Sequence, residues 1–285
     1  LAVGIVTNNR RDILLRLLDE LHKQAEDLLD VIINENGSDV LSETDFDGYP
    51  HLHIAVLKDQ NANIPRARNR IIKRAIHNYQ WLVFIDDDCV PTKNWLDTIC
   101  NFLSRTPPSR FWAVQGVSIS IPLDNPYGQV SGLLYKLWFD VNTAGNTLAI
   151  LDTKCCALNL NCMEASGLRF NETIQYGSDI DLGSRMIHID RKKQIYVFNK
   201  WKVFHEERKD FIHFVCHRTR LSIAFRMIRN KYPDDLASVG LNTKLRFLWS
   251  LNLSLTDKIK IFVAMTIAGA LSIMGLWTKQ SKFFH

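Results

Sequence analysis

Three adjacent carboxylates, Asp86, Asp87 and Asp88, directly follow the apolar run Trp81-Leu82-Val83-Phe84-Ile85. The spacing places negative charge at the C-terminal end of a buried strand. In open α/β sheets ligands gather at the carboxyl ends of the strands, and clustered carboxylate oxygens there suit a hard divalent cation, Mn²⁺ or Mg²⁺. A metal-bound diphosphate is the ligand such an edge would hold. The plainer alternative is a solvated acidic turn that ends a strand, and the surrounding residues weigh against it.

A site of this kind also needs groups that recognise what the cation carries and a base that activates the attacking atom. Candidates for each are present. Thr7, Asn9 and Arg10 follow a first strand, Glu35 follows a second, and Arg68 sits on a basic helix, all able to converge on one sheet edge. Glu35 could accept a hydrogen bond from a base or ribose, and the planar guanidinium of Arg68 could pair with phosphate. A second carboxylate cluster, Tyr176-Gly177-Ser178-Asp179-Ile180-Asp181-Leu182, opens a helix, and His205 follows the apolar-aromatic stretch Trp201-Lys202-Val203-Phe204. His213 and His217, with Cys216 nearby, form a rival metal pair on one helical face, but they lack the Glu of His-Glu-x-x-His.

The elements that must position these groups alternate short β-rich runs with helical patterns, the signature of βαβ units and a mostly parallel sheet. Residues 1–6, 31–33, 52–57 and 81–85 read as strands, and residues 12–28 and 65–78 as helices. After residue 33 the turn contains Asn36-Gly37, a pair expected to supply positive φ. A helix from Trp95 to about residue 103, a strand over 113–121 closed by Pro122 and Pro126, an aromatic packing helix over 127–142 and a strand over 194–198 complete the pattern. The expected division is an α/β domain over 1–210 and a basic helical extension over 211–285.

At 285 residues and 46% hydrophobic content the chain can bury a large core plus a smaller appendage. The six Cys form no Cys-x-x-Cys pair, which points to a reducing cytoplasm rather than to a zinc ribbon or a disulfide framework. The opening apolar run is too short for a secretory signal and leads into polar Thr7-Asn8-Asn9-Arg10, so a first strand is expected there. The net charge of +5 hides an asymmetry of roughly +12 from Arg191 onward against roughly −7 before it. Such a basic C-terminal part suits nucleic acid or an anionic membrane surface, and the charge-free apolar run over 261–277 favours the membrane. That run holds Gly269 and Gly275 and is flanked by Lys258, Lys260, Lys279 and Lys282 with Trp277 at its end. It is marginal for spanning; an in-plane or re-entrant helix, a short span and a buried core helix all remain open.

In order along the chain, Gly4-Ile5-Val6-Thr7-Asn8-Asn9-Arg10, Glu35-Asn36-Gly37-Ser38, Asn61 through Ala67-Arg68-Asn69, Asp86-Asp87-Asp88, Gly177-Ser178-Asp179-Ile180-Asp181-Leu182 and His205 with Arg208 resemble the family-2 glycosyltransferases of GT-A fold over roughly residues 1–210. The resemblance implies a Rossmann-like mixed, mostly parallel sheet flanked by helices. It implies inverting transfer of a sugar from a nucleotide-diphosphate donor, a UDP-sugar favoured, to a sugar or lipid-linked acceptor in cell-surface polysaccharide or glycolipid synthesis. It assigns Asp86 and Asp87 with Thr7, Asn9, Arg10, Glu35 and Arg68 to the donor, and Asp88 with His205 to Mn²⁺ or Mg²⁺. Asp179 is the preferred base, with Asp181 supporting the helix start.

Three departures stand out. Glu35 replaces the usual Asp, Ser178 replaces the first acid of the usual Glu-Asp pair, and Asn63 stands where Gly is common, a position suited to left-handed φ. A carboxylate-dependent hydrolase and a non-catalytic sugar- or membrane-binding module are the rival readings. A dinucleotide oxidoreductase is disfavoured, because no Gly-x-Gly-x-x-Gly follows the first strand.

Overall fold

The computed structural model describes every residue except 39–40, 61–62, 122–124, 149, 208–209, 234–236, 238–239 and 275–285. Asn61, Pro122, Arg208, Gly275, Trp277, Lys279 and Lys282 therefore lie outside the described residues. Contacts divide the chain into two units, Leu1–Ile119 with Ala144–His205 and Ser120–Thr143 with Glu206–His285. Residues 120–143, expected in the first domain, group with the C-terminal helices.

In the first unit, β1 (Ala2–Thr7), β2 (Leu29–Glu35), β3 (Leu52–Lys58) and β4 (Trp81–Ile85) pair in parallel in the order β3-β2-β1-β4. All five residues of β4 are buried, as expected of a strand covered on both faces. The helices α1 (Arg11–Gln24) and α2 (Ile64–Ala75) connect these strands, burying Leu14, Leu17, Leu18 and Leu21 on one and Ala67, Ile71, Ile72 and Ala75 on the other.

The far side of the sheet is antiparallel. After β4 come the short β5 (Cys89–Pro91), α3 (Trp95–Ser104), β6 (Phe111–Ile121) and, past the other unit's α4 (Pro126–Val141), the small strands β7 (Thr143–Ala144) and β8 (Thr147–Leu148). Then follow β9 (Cys155–Asn159), α5 (Leu160–Ser166), α6 (Ser178–Ile189) and β10 (Gln194–Glu206). β9 lies between β4 and β6, antiparallel to both, and β5 pairs with β10 so that His205 faces Cys89.

Several elements differ from expectation for local reasons. α1 stops at Gln24 because Ala25 is extended and Leu28 stands in solvent rather than on the buried stripe. Asn63 has φ −74° and serves as N-cap of α2, accepting from the Arg66 N–H at 2.9 Å, so its side chain, not a left-handed backbone, accounts for it. The strand expected over 194–198 continues to Glu206 and carries Trp201 and His205 with it. β9 was not anticipated, since its five-residue apolar run shows no alternation.

The second unit packs Val130 and Leu134 of α4 with Phe214 and Val215 of α7 (Phe211–Lys231), Leu248 of α8 (Leu241–Ser250), and Ile261, Ala264 and Ala268 of α9 (Leu255–Met274). His213 pairs with Asp210, and among the described residues no group of three or more His, Cys, Asp or Glu is arranged to hold a metal ion. No helix among the described residues is long and apolar enough to cross a membrane. α9 is not a buried core helix either, because one face of it is exposed.

At the centre of the first unit the Trp95 and Trp201 rings lie 5.2 Å apart against β6. A Cβ on Gly116 would stand 2.3 Å from Cys155 Sγ and 2.8 Å from the Trp201 carbonyl oxygen. Gly116→Ala should therefore lower stability by about 2–3 kcal/mol, the usual penalty of forcing atoms into a filled core. Gly48→Ala, whose new methyl would meet nothing within 4 Å, should melt within a degree or two of the parent, and equal melting of the two variants would refute the packing assignment.

Candidate active site at the sheet edge

β1 and β4 are parallel neighbours, so the residues just past their C-termini meet. Thr7 Oγ1 donates to Asp87 Oδ2 at 2.8 Å, and Arg10 Nη1 reaches Asp87 Oδ1 at 2.9 Å and Asp88 Oδ2 at 3.1 Å. Thr7 and Arg10 thus hold the acidic triplet in place. Even with these partners, burial pushes the Asp87 carboxyl up to about 6, with repulsion from Asp88 and Asp86 adding to it and Arg10 and Thr7 opposing.

One strand over, β2 delivers Glu35, which is 1% exposed. Its Oε1 accepts from Gly37 N–H at 2.7 Å and Asn9 N–H at 3.4 Å, while Oε2 is buried with no partner. The left-handed residue here is Asn9, at φ 53°; Gly37 is absent from the positive-φ positions, contrary to expectation. Glycine is needed at 37 for space, because a Cβ there would lie 2.2 Å from Asn9 Oδ1. Asn9 Oδ1 in turn accepts from Ser38 N–H at 3.0 Å. Glu35, Gly37, Lys58, Asp59 and Gln60 line a cleft of about 260 Å³.

From α2, which packs on β1 and β2, Arg68 reaches Asp86 Oδ1 at 3.4 Å, its guanidinium 5.5 Å from the centre of the Phe170 ring. Asn69 ties the segment after α5 to α2, donating to the Phe170 carbonyl at 2.9 Å and accepting from its N–H at 2.8 Å. The segment leads to Gly177, whose φ of 73° starts α6 and sets Asp179 in the first turn. Burial raises the Asp179 carboxyl to about 6; Arg68 opposes the rise, while Asp152 and Asp86 add to it. Burial also raises the Asp86 carboxyl, with Asp88 and Asp152 adding to the rise and Arg68 and His205 opposing it. Asp181 is buried and pairs with Arg185 at 2.8 Å, a bond that also anchors Arg185 for its contact with the Arg169 carbonyl.

Asp88 Oδ1 stands 3.6 Å from His205 Nε2. Two donors on one ion with bonds of about 2.1 Å lie between roughly 3 and 4 Å apart, so the separation fits a shared cation. A carboxylate oxygen with an imidazole nitrogen also suits Mn²⁺ chemically. The chemistry of this donor pair fits a divalent ion.

The described geometry joins Thr7, Asn9, Arg10, Glu35, Arg68, Asp86, Asp87, Asp88, Asp179 and His205 to this one edge, whereas His213 and His217 lie on α7 of the other unit. The sequence pattern of glycosyl transferase family 2 matches residues 2–152. The chain belongs to that family. No curated protein sequence matches it. Among solved structures it is similar to the mannosyltransferase PcManGT from Pyrobaculum calidifontis in complex with GDP-Man and Mn²⁺, at TM-score 0.68 and 14% identity, covering 98% of this chain and 87% of that one. It is also similar to S. aureus TarS 1–349 in complex with UDP-GlcNAc, at TM-score 0.55 and 13% identity, covering 93% and 79%. At such identities the likeness shows the fold, GT-A.

In this family-2 glycosyltransferase two site residues escaped the sequence reading. Asp152 is buried beside Asp86 and Asp179 and pairs with Lys154 at 3.5 Å. Gln115, 1% exposed, fixes that loop by accepting from Asp152 N–H at 2.9 Å and donating to the carbonyls of Asp152 at 3.0 Å and Cys155 at 2.8 Å. Only a buried Gln in the middle of an apolar strand pattern could have flagged it.

Because the folded pKa of Asp179 lies above its ordinary 3.8, its ionised form costs stability above pH 6 and costs nothing below about pH 4. Asp179→Asn should stabilise the ligand-free protein at pH 7.5 by on the order of 1–3 kcal/mol, with the gain vanishing as pH falls toward 4. Denaturant midpoints across that range test this, and an Asn variant less stable at pH 7.5 would contradict the assigned environment.

Proposed function

We propose that the protein is an inverting, metal-dependent hexosyltransferase. In this reading it moves a hexose from a UDP-sugar to a hydroxyl of a sugar or lipid-linked acceptor in cell-surface polysaccharide or glycolipid assembly. Residues 1–210 carry the transfer, with 211–285 as a basic helical extension. The observation that carries the reading is the meeting of Asp86, Asp88, His205 and Arg68 with Asp179, a carboxylate raised to about 6, on one sheet edge.

The unpartnered Glu35 Oε2 supports a uracil donor. Glu35 Oε1 is already taken by Gly37, leaving one acceptor for the single imide N–H of uracil, whereas guanine presents two adjacent donors. Asn9 and Gly37 hold that carboxylate, and Arg68 faces the phosphates. Asp88 and His205 would hold the cation, with Asp86 and Asp87 beside it. When bound, the cation neutralises the charge that develops on the departing diphosphate.

Asp179 accepts the proton of the acceptor hydroxyl as its oxygen bonds to the anomeric carbon. The bond from that carbon to the phosphate oxygen breaks, the electron pair leaves with UDP, and the single displacement inverts the centre. The relatives support the donor class: PcManGT is in complex with GDP-Man and Mn²⁺, and TarS with UDP-GlcNAc. The six cysteines, all free thiols, support a reducing cytoplasm.

A thermal-shift panel of UDP- and GDP-sugars with and without Mn²⁺ tests the donor and the metal together. Asp88→Asn should abolish the Mn²⁺-dependent part of UDP binding in calorimetry; unchanged affinity and unchanged Mn²⁺ dependence in a folded variant would remove the metal assignment.

Asp179→Asn should keep UDP affinity and lose about 10²- to 10⁴-fold in turnover. Since the base must be ionised, kcat/KM of the parent should fall about tenfold per pH unit below about 6, the value of Asp179. If transfer survived in that variant while Asp181→Asn was inactive, the base would be Asp181.

A further inference from the structure

α9 packs against its own unit through Ile261, Ala264, Ala268 and Ser272. The opposite face is apolar and exposed: Leu255 (64%), Ile259, Phe262 (43%), Val263, Ile267 and Ile273 (74%). At 3.6 residues per turn these positions share an arc of roughly 140° along a helix roughly 30 Å long. The helix has no charge beyond Lys260. A strip of this size and continuity is rare on a surface that faces only water.

What borders the strip decides its partner. Residues 211–285 contain eleven Lys and Arg against three Asp. α7, which lies beside α9, carries Arg218, Arg220, Arg226, Arg229 and Lys231 and no acidic residue. Arg226 reaches Ser272 on the packed face of α9 at 3.2 Å, whereas Lys258 and Lys260 flank the exposed strip, Lys258 donating to the Trp249 carbonyl at 3.0 Å beside an exposed indole. A second copy of the chain would bring the same positive charges face to face in an isologous contact, which opposes dimerisation through this strip.

Apolar side chains flanked by cations and a Trp match an anionic bilayer surface, where the apolar side chains enter the acyl boundary and the cations meet the headgroups. We propose that α9 lies in the plane of an anionic lipid surface, inserted through Ile259, Phe262, Val263, Ile267 and Ile273, with Lys258 and Lys260 at the edges of the strip held at the headgroups. The attachment is interfacial, in keeping with the absence, among the described residues, of a helix able to cross a membrane. It rests on the second unit alone and is independent of the donor reading.

The test is flotation of the full chain with vesicles of phosphatidylcholine and phosphatidylglycerol in equal parts, beside vesicles of phosphatidylcholine alone. The parent should float with the anionic vesicles, less with the neutral ones, and less as salt is raised. Combined Ile259→Ser, Phe262→Ser and Ile267→Ser, all at exposed positions, should cut partitioning at least about tenfold while melting temperature and UDP binding stay unchanged. The matching Leu triple should float like the parent. Failure of the parent to float with anionic vesicles would overturn the proposal, as would a serine triple that floats normally. So would a strip whose serine triple abolishes self-association in sedimentation without affecting flotation.

Discussion

Crowded negative charge at the end of β4 is the constraint from which the rest of the site follows. Asp86, Asp87 and Asp88 occupy consecutive positions, and Asp152 and Asp179 arrive from other elements to stand near them. Carboxylates cannot share a dehydrated edge unless cations answer them. Arg10 answers Asp87 and Asp88, and Arg68 answers Asp86. Even so, Asp86, Asp87 and Asp179 all sit above the ordinary carboxylate range, burial being the first cause in each case. On the proposed reading, a divalent cation would balance this charge.

The topology follows from the need to bring distant chain segments to this edge. Parallel pairing of β3, β2, β1 and β4 puts Glu35, Thr7 and the acidic triplet at adjacent strand ends. The antiparallel β9 then enters beside β4, so that the loop carrying Asp152 and Lys154 arrives at the same end with Cys155 opposite Ile85. β10, thirteen residues long, pairs with β5 and sets His205 across from Cys89, the residue just after Asp88. Parallel strands bring Glu35, Thr7 and the acidic triplet to this edge, and antiparallel strands bring Asp152 and His205.

Much of this was legible because it depends on local rules. β4 is found at the residues where its apolar run ends in acids, and α3 starts at Trp95 as expected. Glu35 and Asp179 are placed by the elements that precede or contain them. What the sequence hid depends on tertiary neighbours. Gly37 carries no left-handed backbone; it is small because Asn9 needs the space, which no local pattern encodes. Asp152 reads as an ordinary loop acid until β9 carries its loop to Asp86. Gln115 looks like an exposed strand position until the loop it bonds is present. The boundary of the helical unit was also hidden, because residues 120–143 join the C-terminal helices through contacts made far along the chain.

In the mechanism proposed above, the crowding that costs stability would also set the strength of the base. An isolated aspartate, at an ordinary 3.8, is ionised at neutral pH but holds a proton poorly. At about 6 the carboxylate of Asp179 is about a hundredfold more basic and is still mostly ionised at pH 7, close to the best compromise for proton abstraction. Arg68 limits the rise by opposing it; without that guanidinium the burial and the neighbouring Asp86 and Asp152 would push Asp179 further toward its neutral form, in which it can accept nothing. On that reading Arg68 would act on both halves of the reaction through a single charge: it pairs with Asp86 and lowers the pKa of Asp179, favouring its ionised form. That double duty explains why so costly a group as a buried arginine is placed between the two carboxylates.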